Sequence, residues 1–211
     1  MPSRRAGGSP AAPLSRVVIA TRNAGKAAEL ERLLRGIAGR IESLVSRDAV
    51  ALPPEGDRSY AENALGKARA AQEALGLPAI GDDSGLEVDA LDGAPGIRSA
   101  RFAGEMAGDA ENNALLLGRL RGVAPGGRTA RFRCALALIG AGGDPVVVEG
   151  VCEGTILETA RGNGGFGYDP LFLPAGESRS FADLSEGEKD RISHRGRAAA
   201  ALRNALGRTN A

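Results

Sequence analysis

The sequence predicts an α/β fold built on a mixed β-sheet. Two observations lead to this prediction. In the first half of the chain, short apolar runs that are typical of buried strands alternate with stretches of helical periodicity. In the second half, two long strand-like runs at residues 129–139 and 145–157 are joined only by the glycine-rich residues 140–144, which indicates an antiparallel pair.

The composition argues against two classes of function. The 27 Lys and Arg residues are balanced by 26 Asp and Glu residues, so the chain lacks the positive excess expected of a protein that binds long nucleic acids. No apolar run approaches the ~20 residues of a membrane-spanning helix. A locally positive pocket for a small polyanion is compatible with this balance.

The two ends of the sequence and its cysteines give further expectations. Residues 1–13 lack the apolar segment of a signal peptide and are predicted to form a disordered leader, whereas residues 14–211 are predicted to form one domain. Cys134 and Cys152 lack metal-ligand spacing. A bridge between their two strands is geometrically conceivable, but we expect reduced thiols in a cytoplasmic protein.

The first strand, predicted over residues 16–20, leads into a polar turn and a helix. Asn23 is a candidate N-cap, and Lys26 lies in the first helical turn. A strand, a short turn and a helix N-terminus together form a typical anion site, because free backbone N–H groups and the helix dipole point at the turn. The alternative is a solvated lysine. A second strand is predicted at residues 41–45.

The next helix begins at a capping box, Ser59-x-x-Glu62, and is predicted over residues 60–75. Asn63 and Lys67 are four residues apart and therefore lie on one face of this helix. The spacing leaves open whether Lys67 points into a cleft or into solvent.

Two adjacent carboxylates, Asp82 and Asp83, follow an apolar run and are predicted to lie at the carboxyl end of a strand over residues 78–83. Carboxylates and substrate phosphates are typical ligands of Mg²⁺, which makes this pair a candidate metal site. The alternative is a polar turn in which Ser84 and Gly85 close the strand.

Three later segments are also informative. Asp109 is predicted to cap a helix that runs to about Arg121. Residues 161–170 place four glycines around Phe166 and Tyr168, a frame that allows close approach to a ligand and stacking on a planar ring; the alternative is that both aromatic rings fill the core.

A second capping box, Ser185-x-x-Glu188, is predicted to open one terminal helix that continues to Leu206. This helix carries Lys189, Arg195 and the only histidine of the chain, His194. The alternative is that these residues form an ordinary basic helix face.

Six motifs occur along the chain in order. They are Thr21-x-Asn23-x-x-Lys26, Ser59-Tyr60-x-Glu62-Asn63-Ala64, Asp82-Asp83-Ser84-Gly85-Leu86, Gly93-Ala94-Pro95-Gly96, Phe166-Gly167-Tyr168-Asp169-Pro170 and Lys189-x-x-x-Ser193-His194-Arg195. Each motif alone is weak, but six in order are specific. With them, residues 17–206 resemble the inosine-triphosphate pyrophosphatase family.

The resemblance implies hydrolysis of deaminated purine nucleoside triphosphates (ITP, dITP and XTP) to the monophosphate and pyrophosphate. It also implies an elongated mixed sheet flanked by helices, arranged as two lobes with the active site in the cleft between them. Most members of the family are homodimers and require Mg²⁺.

The resemblance further implies roles for individual residues. Asp83 corresponds to the catalytic base, with Lys26 and Lys67 as catalytic cations, and Asp83, Glu55 and Asp82 correspond to the metal ligands. The implied substrate-binding residues are Thr21, Arg22, Asn23, Ala24, Gly25, Lys26, Ser84, Phe166, Gly167, Tyr168, Asp169, Lys189, His194 and Arg195.

Three other functions compete with this reading. A pyrophosphatase for other modified nucleoside triphosphates would share Asp83 and Lys26 but would not depend on Arg195, which suits a purine 6-oxo group. A non-catalytic nucleotide-binding module gains little from several carboxylates near phosphates. A purely structural protein explains none of the glycine-framed motifs.

Overall fold

The structure, a computed structural model, describes residues 14–45, 47, 50–57 and 59–207. The predicted leader at residues 1–13 lies outside the described residues. The strands are β1 (Leu14–Ala20), β2 (Ala38–Ser43), β3 (Ala79–Val88), β4 (Thr129–Ile139), β5 (Val146–Ile156) and β6 (Phe172–Pro174). They form one sheet in the order β2-β1-β3-β4-β5-β6. β1 pairs in parallel with β2 and β3, and the other pairs are antiparallel, which confirms the predicted mixed sheet.

The α-helices of the described residues flank this sheet. They are α1 (Ala24–Leu33), α2 (Tyr60–Leu75), α3 (Asp109–Arg119), α4 (Glu186–Ile192) and α5 (His194–Ala205). Both predicted capping boxes open helices, since Ser59 and Ser185 each accept a hydrogen bond from the backbone N–H three residues later. In this part of the chain, no helix combines the length and apolar character needed to cross a membrane.

Two helix predictions require correction. The prediction of a single terminal helix was wrong. Ser193 adopts an extended backbone between α4 and α5, and its side chain caps α5 by accepting a hydrogen bond from the Gly196 N–H. The third helix begins one residue earlier than predicted, because Gly108 is its N-cap and Asp109 is its first residue.

The position of the acid pair on β3 also differs from the prediction. Asp82 and Asp83 lie inside the strand, because β4 pairs with β3 from Ala79 as far as Val88. The parallel pairing with β1, by contrast, ends at Gly81. The carboxylates therefore lie where β3 loses one neighbour and keeps the other.

Successive side chains of β3 face opposite sides of the sheet. Gly81 and Asp83 face α2, and a Cβ atom at Gly81 would collide with the α2 backbone. Ile80 and Asp82 face the side covered by α1 and α5. This alternation separates the two acids onto the two faces of the sheet.

Two large apolar clusters lie along the face covered by α1 and α5. The first core includes Ile19, Leu30, Ile80, Leu136 and Leu202. The second core includes Leu86, Leu116, Phe132, Tyr168 and Phe172. On β3, the two polar residues Asp82 and Ser84 separate Ile80 of the first core from Leu86 of the second, so the apolar pattern is interrupted between the two cores.

Both cysteines are buried and free. In the β4–β5 register, Cys134 lies opposite Gly150 and Cys152 lies opposite Phe132. Because neither cysteine faces the other, the expected reduced state agrees with the geometry.

Gly150 on β5 allows α5 to approach the sheet closely. A Cβ atom there would collide with the His194 carbonyl and the Ala198 N–H. We therefore predict that Gly150→Ala lowers the free energy of unfolding by ~1–3 kcal/mol, as expected for overpacking. Urea denaturation followed by circular dichroism measures this change.

The matched control is Gly143→Ala in the β4–β5 turn, where a Cβ atom would meet nothing within 4 Å. This control is expected to stay within about 0.5 kcal/mol of the parent. Equal stability of the two variants would contradict the close approach of α5.

Candidate active site

A cleft opens between the two cores, over the polar stretch of β3. Ten of the residues implied by the resemblance line it: Asn23, Lys26, Glu55, Ser84, Phe166, Gly167, Tyr168, Asp169, His194 and Arg195. These residues come from segments that are far apart in the sequence. Gly25 and Lys189 line an adjoining cavity on the other side of Phe166.

One end of the cleft is formed by the N-terminus of α1. The Asn23 side chain accepts a hydrogen bond from the Lys26 N–H (2.9 Å), so the predicted N-cap is confirmed. The Lys26 ammonium lies 2.9 Å from the Asp82 carboxylate. Thr21 supports the turn by accepting from the Asn23 N–H at 3.2 Å. The arrangement holds a positive charge beside the first turn of a helix, which favours a bound anion.

Arg22 contacts a different part of the chain. Its guanidinium donates to the Val50 carbonyl at 2.8 Å, in the segment that leads to Glu55. Arg22 does not line the cleft described above.

Asp83 and Glu55 share one cation. The Lys67 ammonium lies 2.6 Å from the Glu55 carboxylate and 3.1 Å from that of Asp83. It also donates to the Asp82 carbonyl at 3.1 Å. Asn63, on the preceding turn of α2, donates to Asp83 at 2.9 Å, which places the predicted Asn63–Lys67 face of α2 against the acid.

The pKa values of these two acids shift in opposite directions. Burial raises the pKa of Asp83 above its ordinary value, despite the nearby charges of Lys67 and Lys26. Burial also acts to raise the pKa of Glu55, but its pairing with Lys67 and Arg101 outweighs burial and lowers that pKa to about 2. Asp83 is therefore the better proton acceptor of the pair.

Asp82 has a different environment from Asp83. Its carboxylate faces Lys26, the Arg195 guanidinium at 3.4 Å and the Cys134 thiol at 3.2 Å. Burial acts to raise its pKa, but Lys26 and Arg195 outweigh burial and lower it below the ordinary value. Asp82 is thus an ionised carboxylate that fixes the positions of the Lys26 and Arg195 side chains.

The predicted set of three metal ligands is divided by this geometry. Within the described part of the chain, no group of three His, Cys, Asp or Glu side chains is arranged to hold a metal ion. Asp83 and Glu55 both direct oxygens at the position of the Lys67 ammonium, and paired carboxylates are the donor type that a hard divalent cation prefers. Asp82 lies on the other face of the sheet.

The other end of the cleft contains His194 and Arg195 at the start of α5. Arg195 donates to the Ser84 hydroxyl at 2.6 Å and to Glu29 at 3.1 Å. The His194 ring stacks on Phe132, with ring centroids 4.7 Å apart. Burial lowers the pKa of His194 well below its ordinary value, so the imidazole is neutral.

Neither ring nitrogen of His194 has a hydrogen-bond partner within the described protein, although the residue is only 2% exposed. Buried polar groups are normally paired, and each exception calls for an explanation. The cleft position of this ring is consistent with hydrogen bonding to a bound ligand.

The two aromatic residues of the glycine-rich segment have different environments. Tyr168 is buried in the second core, and its hydroxyl donates to the Ser99 carbonyl at 2.9 Å. Phe166 instead lines the cleft, with Lys189 and Arg195 about 5 Å from its ring centroid. The core-filling alternative therefore holds for Tyr168, and the ring-stacking interpretation fits Phe166.

Glu29 is a buried residue of the site that the sequence reasoning missed. It is 4% exposed, pairs with Arg195 and lies 3.8 Å from the Lys189 ammonium. Lys189 also pairs with Asp169 at 2.6 Å. Glu29 follows Lys26 by three residues on α1, and this helical spacing was a signal that could have identified it.

Comparison with known proteins identifies the family. A sequence model of the Ham1 family matches residues 17–205. The chain belongs to the Ham1 family.

Its relatives within the family cover nearly the whole chain. It is 46% identical over 194 residues to a dITP/XTP pyrophosphatase of Geobacter sulfurreducens, a match that covers 92% of this chain and 98% of that protein. It is 50% identical over 192 residues to a dITP/XTP pyrophosphatase of Streptomyces coelicolor, covering 90% and 96% respectively. The resemblance seen in the motifs is confirmed.

A solved structure of the family agrees with the fold. The structure of a HAM1 protein from Coxiella burnetii superposes with a TM-score of 0.80 at 38% identity, covering 92% of this chain and 99% of that one. The α/β fold with a mixed sheet and flanking helices is therefore shared with the family.

The two adjacent acids are expected to affect stability in opposite ways. We predict that Asp82→Asn lowers the free energy of unfolding by ~3–5 kcal/mol, because it removes the buried carboxylate that pairs with both Lys26 and Arg195. Asp83→Asn is expected to cause no loss, or a small gain. The Asp83 pKa is raised in the fold, so its ionisation above the ordinary value of 3.8 disfavours the folded state.

Urea denaturation at pH 7 with a chelator present measures both variants. The gain from Asp83→Asn should vanish as the pH falls below about 4, where the carboxyl is protonated in both states. Equal losses from the two variants would contradict the different environments of the two acids.

Proposed function

We propose that this chain hydrolyses deaminated purine nucleoside triphosphates (ITP, dITP and XTP) to the monophosphate and pyrophosphate, as an enzyme of nucleotide-pool cleansing. The observation that carries the proposal is the convergence on one cleft of a cationic helix N-terminus, the Glu55 carboxylate and an unpaired buried imidazole. Asp83, the acid with a raised pKa, is joined to Glu55 through the shared Lys67 ammonium. The names of the curated relatives support it.

Asp83 is the proposed general base. Asn63 and Lys67 fix its two oxygens at 2.9 and 3.1 Å, and Lys67 connects it to Glu55, which lines the cleft. A raised pKa suits a carboxylate that must take a proton from the water attacking the α-phosphorus. Lys67 stays protonated, since the attraction of Asp83 and Glu55 outweighs the effect of burial and raises its pKa.

Asp83 and Glu55 are the proposed Mg²⁺ ligands, because their carboxylates already converge on a cation. When bound, the ion would neutralise charge on the triphosphate and on the leaving pyrophosphate. Asp82 is not included among the proposed Mg²⁺ ligands. Its proposed role is to position Lys26 and Arg195.

The α1 N-terminus is proposed to hold phosphate oxygens. Lys26 supplies a positive charge, and the backbone N–H groups of Ala24 and Gly25 lie in the first helical turn. Because a triphosphate repels an incoming nucleophile, cations placed on its oxygens stabilise the transition state more than the ground state.

The base is proposed to bind between Phe166 and the start of α5. Arg195 and His194 offer donors that suit the 6-oxo group of hypoxanthine and xanthine. Adenine carries a donor amine at that position, which would leave these groups unpaired. Such mispairing of buried polar groups discriminates strongly between substrates.

Several expectations from the sequence are retained as proposals. Residues 14–211 are proposed to form one two-lobed domain, and the protein is proposed to act in the cytoplasm as a homodimer. The alternative substrates are other modified nucleoside triphosphates. Hydrolysis of those substrates would not depend on Arg195, and this difference separates the alternative from the main proposal.

The first test is a product assay with ITP, XTP, dITP and the common nucleoside triphosphates in the presence of Mg²⁺. We expect pyrophosphate and the monophosphate from the deaminated purines. Asp83→Asn is expected to lower kcat by about 10²–10⁴-fold, the usual contribution of a general base.

The control is Glu87→Gln, which neutralises another acid of β3 that lies outside the cleft. It should retain near-parent turnover. Release of orthophosphate by the parent protein would contradict the proposed reaction, and normal turnover by Asp83→Asn would remove that residue from the base role.

Base selectivity is tested by Arg195→Lys. Lysine keeps the charge opposite Asp82 and Glu29 but lacks the planar fork of donors. The ratio of kcat/KM for ITP to that for ATP is expected to fall by about tenfold or more. The control is Arg197→Lys on the same helix, where the arginine donates to the Val151 carbonyl at 2.7 Å. An unchanged ratio in Arg195→Lys would place base recognition elsewhere.

A further inference from the structure

The α3 helix holds both main-chain polar groups of one residue in the glycine-rich segment, Gly167. The Gly167 N–H donates to the Asp109 carboxylate at 2.6 Å, and the Gly167 carbonyl accepts from the Asn113 side chain at 3.0 Å. Asp109 and Asn113 are four residues apart, so they lie on one face of the helix. We call this pair of contacts the α3 clamp.

The clamped residue, Gly167, directly follows Phe166, whose ring faces the cleft. Gly167 has φ = +62°, in the left-handed region that favours glycine. On its other side, the Phe166 N–H donates to the Asp169 carboxylate at 2.9 Å. The Phe166 main chain is therefore held from both directions.

The Phe166 ring itself packs against the phosphate-side turn. A Cβ atom at Gly25 would lie 2.8 Å from this ring, so the ring already fills the space above the first turn of α1. A small displacement of Gly167 would thus move the ring relative to both ends of the cleft.

The helix that carries the clamp is anchored in the second core. Leu116 and Leu120 are fully buried there. Asn112, also buried, accepts from the Ala103 N–H and donates to the Ala100 carbonyl, which ties the neighbouring wall of the cleft to the same helix. The clamp therefore links the position of Phe166 to α3, a helix that is anchored in the second core.

We propose that Asp109 and Asn113 are positioning residues that set the orientation of Phe166 for stacking on the nucleobase. This inference rests on the proposed function, since it assigns Phe166 to base binding. It adds two residues outside the six sequence motifs. A simpler role for Asp109 is that its negative charge, near the N-terminus of α3, interacts favourably with the helix dipole.

Glu111 separates these two roles. It is the other acid of the first turn of α3, and it accepts from the Gly108 N–H of its own helix at 3.0 Å. Glu111→Ala therefore removes an equal charge and a capping contact while leaving the clamp intact. It is the matched control for Asp109→Ala.

The experiment measures kcat and KM for ITP in Asp109→Ala, Asn113→Ala and the double variant. We expect KM to rise about five- to tenfold in each single variant, the effect of losing one hydrogen bond to a main-chain group, with kcat changed less than about twofold. Because both side chains hold the same residue, KM in the double variant should rise by less than the product of the two single increases. Asp109→Asn keeps an acceptor oxygen and should stay within about twofold of the parent.

Hydrogen exchange of a peptide covering residues 163–170, measured without nucleotide, provides a second readout. Exchange should be faster in Asp109→Ala and Asn113→Ala than in Glu111→Ala. Unchanged exchange and KM, or the same changes in Glu111→Ala, would overturn the proposal. A rise in KM confined to Asp109→Ala, with exchange unchanged, would indicate direct substrate contact and would also overturn it.

The two proposals fail in distinguishable ways. If the parent protein releases no pyrophosphate from any deaminated purine triphosphate, the proposed function fails. The exchange measurement would then still decide whether α3 holds the segment at Gly167.

Discussion

The structure depends on how β3 pairs its two adjacent carboxylates after burial. An unpaired buried ion costs several kcal/mol, so each acid must find a cation at a fixed position. Asp82 binds Lys26 of α1 and Arg195 of α5, whereas Asp83 binds Lys67 of α2. Three helices are thus positioned on the two faces of one strand by the same two residues.

This arrangement divides the chemistry between the faces of the sheet. On the α2 face, the acid with the raised pKa lies beside a protonated lysine, which suits proton transfer. On the opposite face, Asp82 links the Lys26 ammonium to the Arg195 guanidinium across 2.9 and 3.4 Å. Under the proposed function, the cation for phosphate and the donor for the base share one counter-ion, so a disturbance at either group reaches the other.

Local signals predicted much of the fold, because they depend on residues close in sequence. The capping boxes at Ser59 and Ser185 and the long strand at residues 129–139 are of this kind. The extent of β3 was not predictable in this way, since its continuation to Val88 depends on pairing with β4, which lies some forty residues further along. Glu29 was missed for a similar reason: its partner Arg195 is 166 residues away.

The unpaired buried atoms suggest why such a site is retained despite its cost. His194 has two ring nitrogens without partners, and one Glu29 oxygen is likewise unpaired within the described protein. Leaving a buried polar group unpaired costs ~1–3 kcal/mol each time. Apolar replacements would remove that cost, but under the proposed function they would also remove the means to distinguish a 6-oxo purine from adenine. Polar atoms that are paired by the correct ligand alone lower the stability of the free protein but increase its selectivity. This combination is expected at a binding site rather than in a structural core.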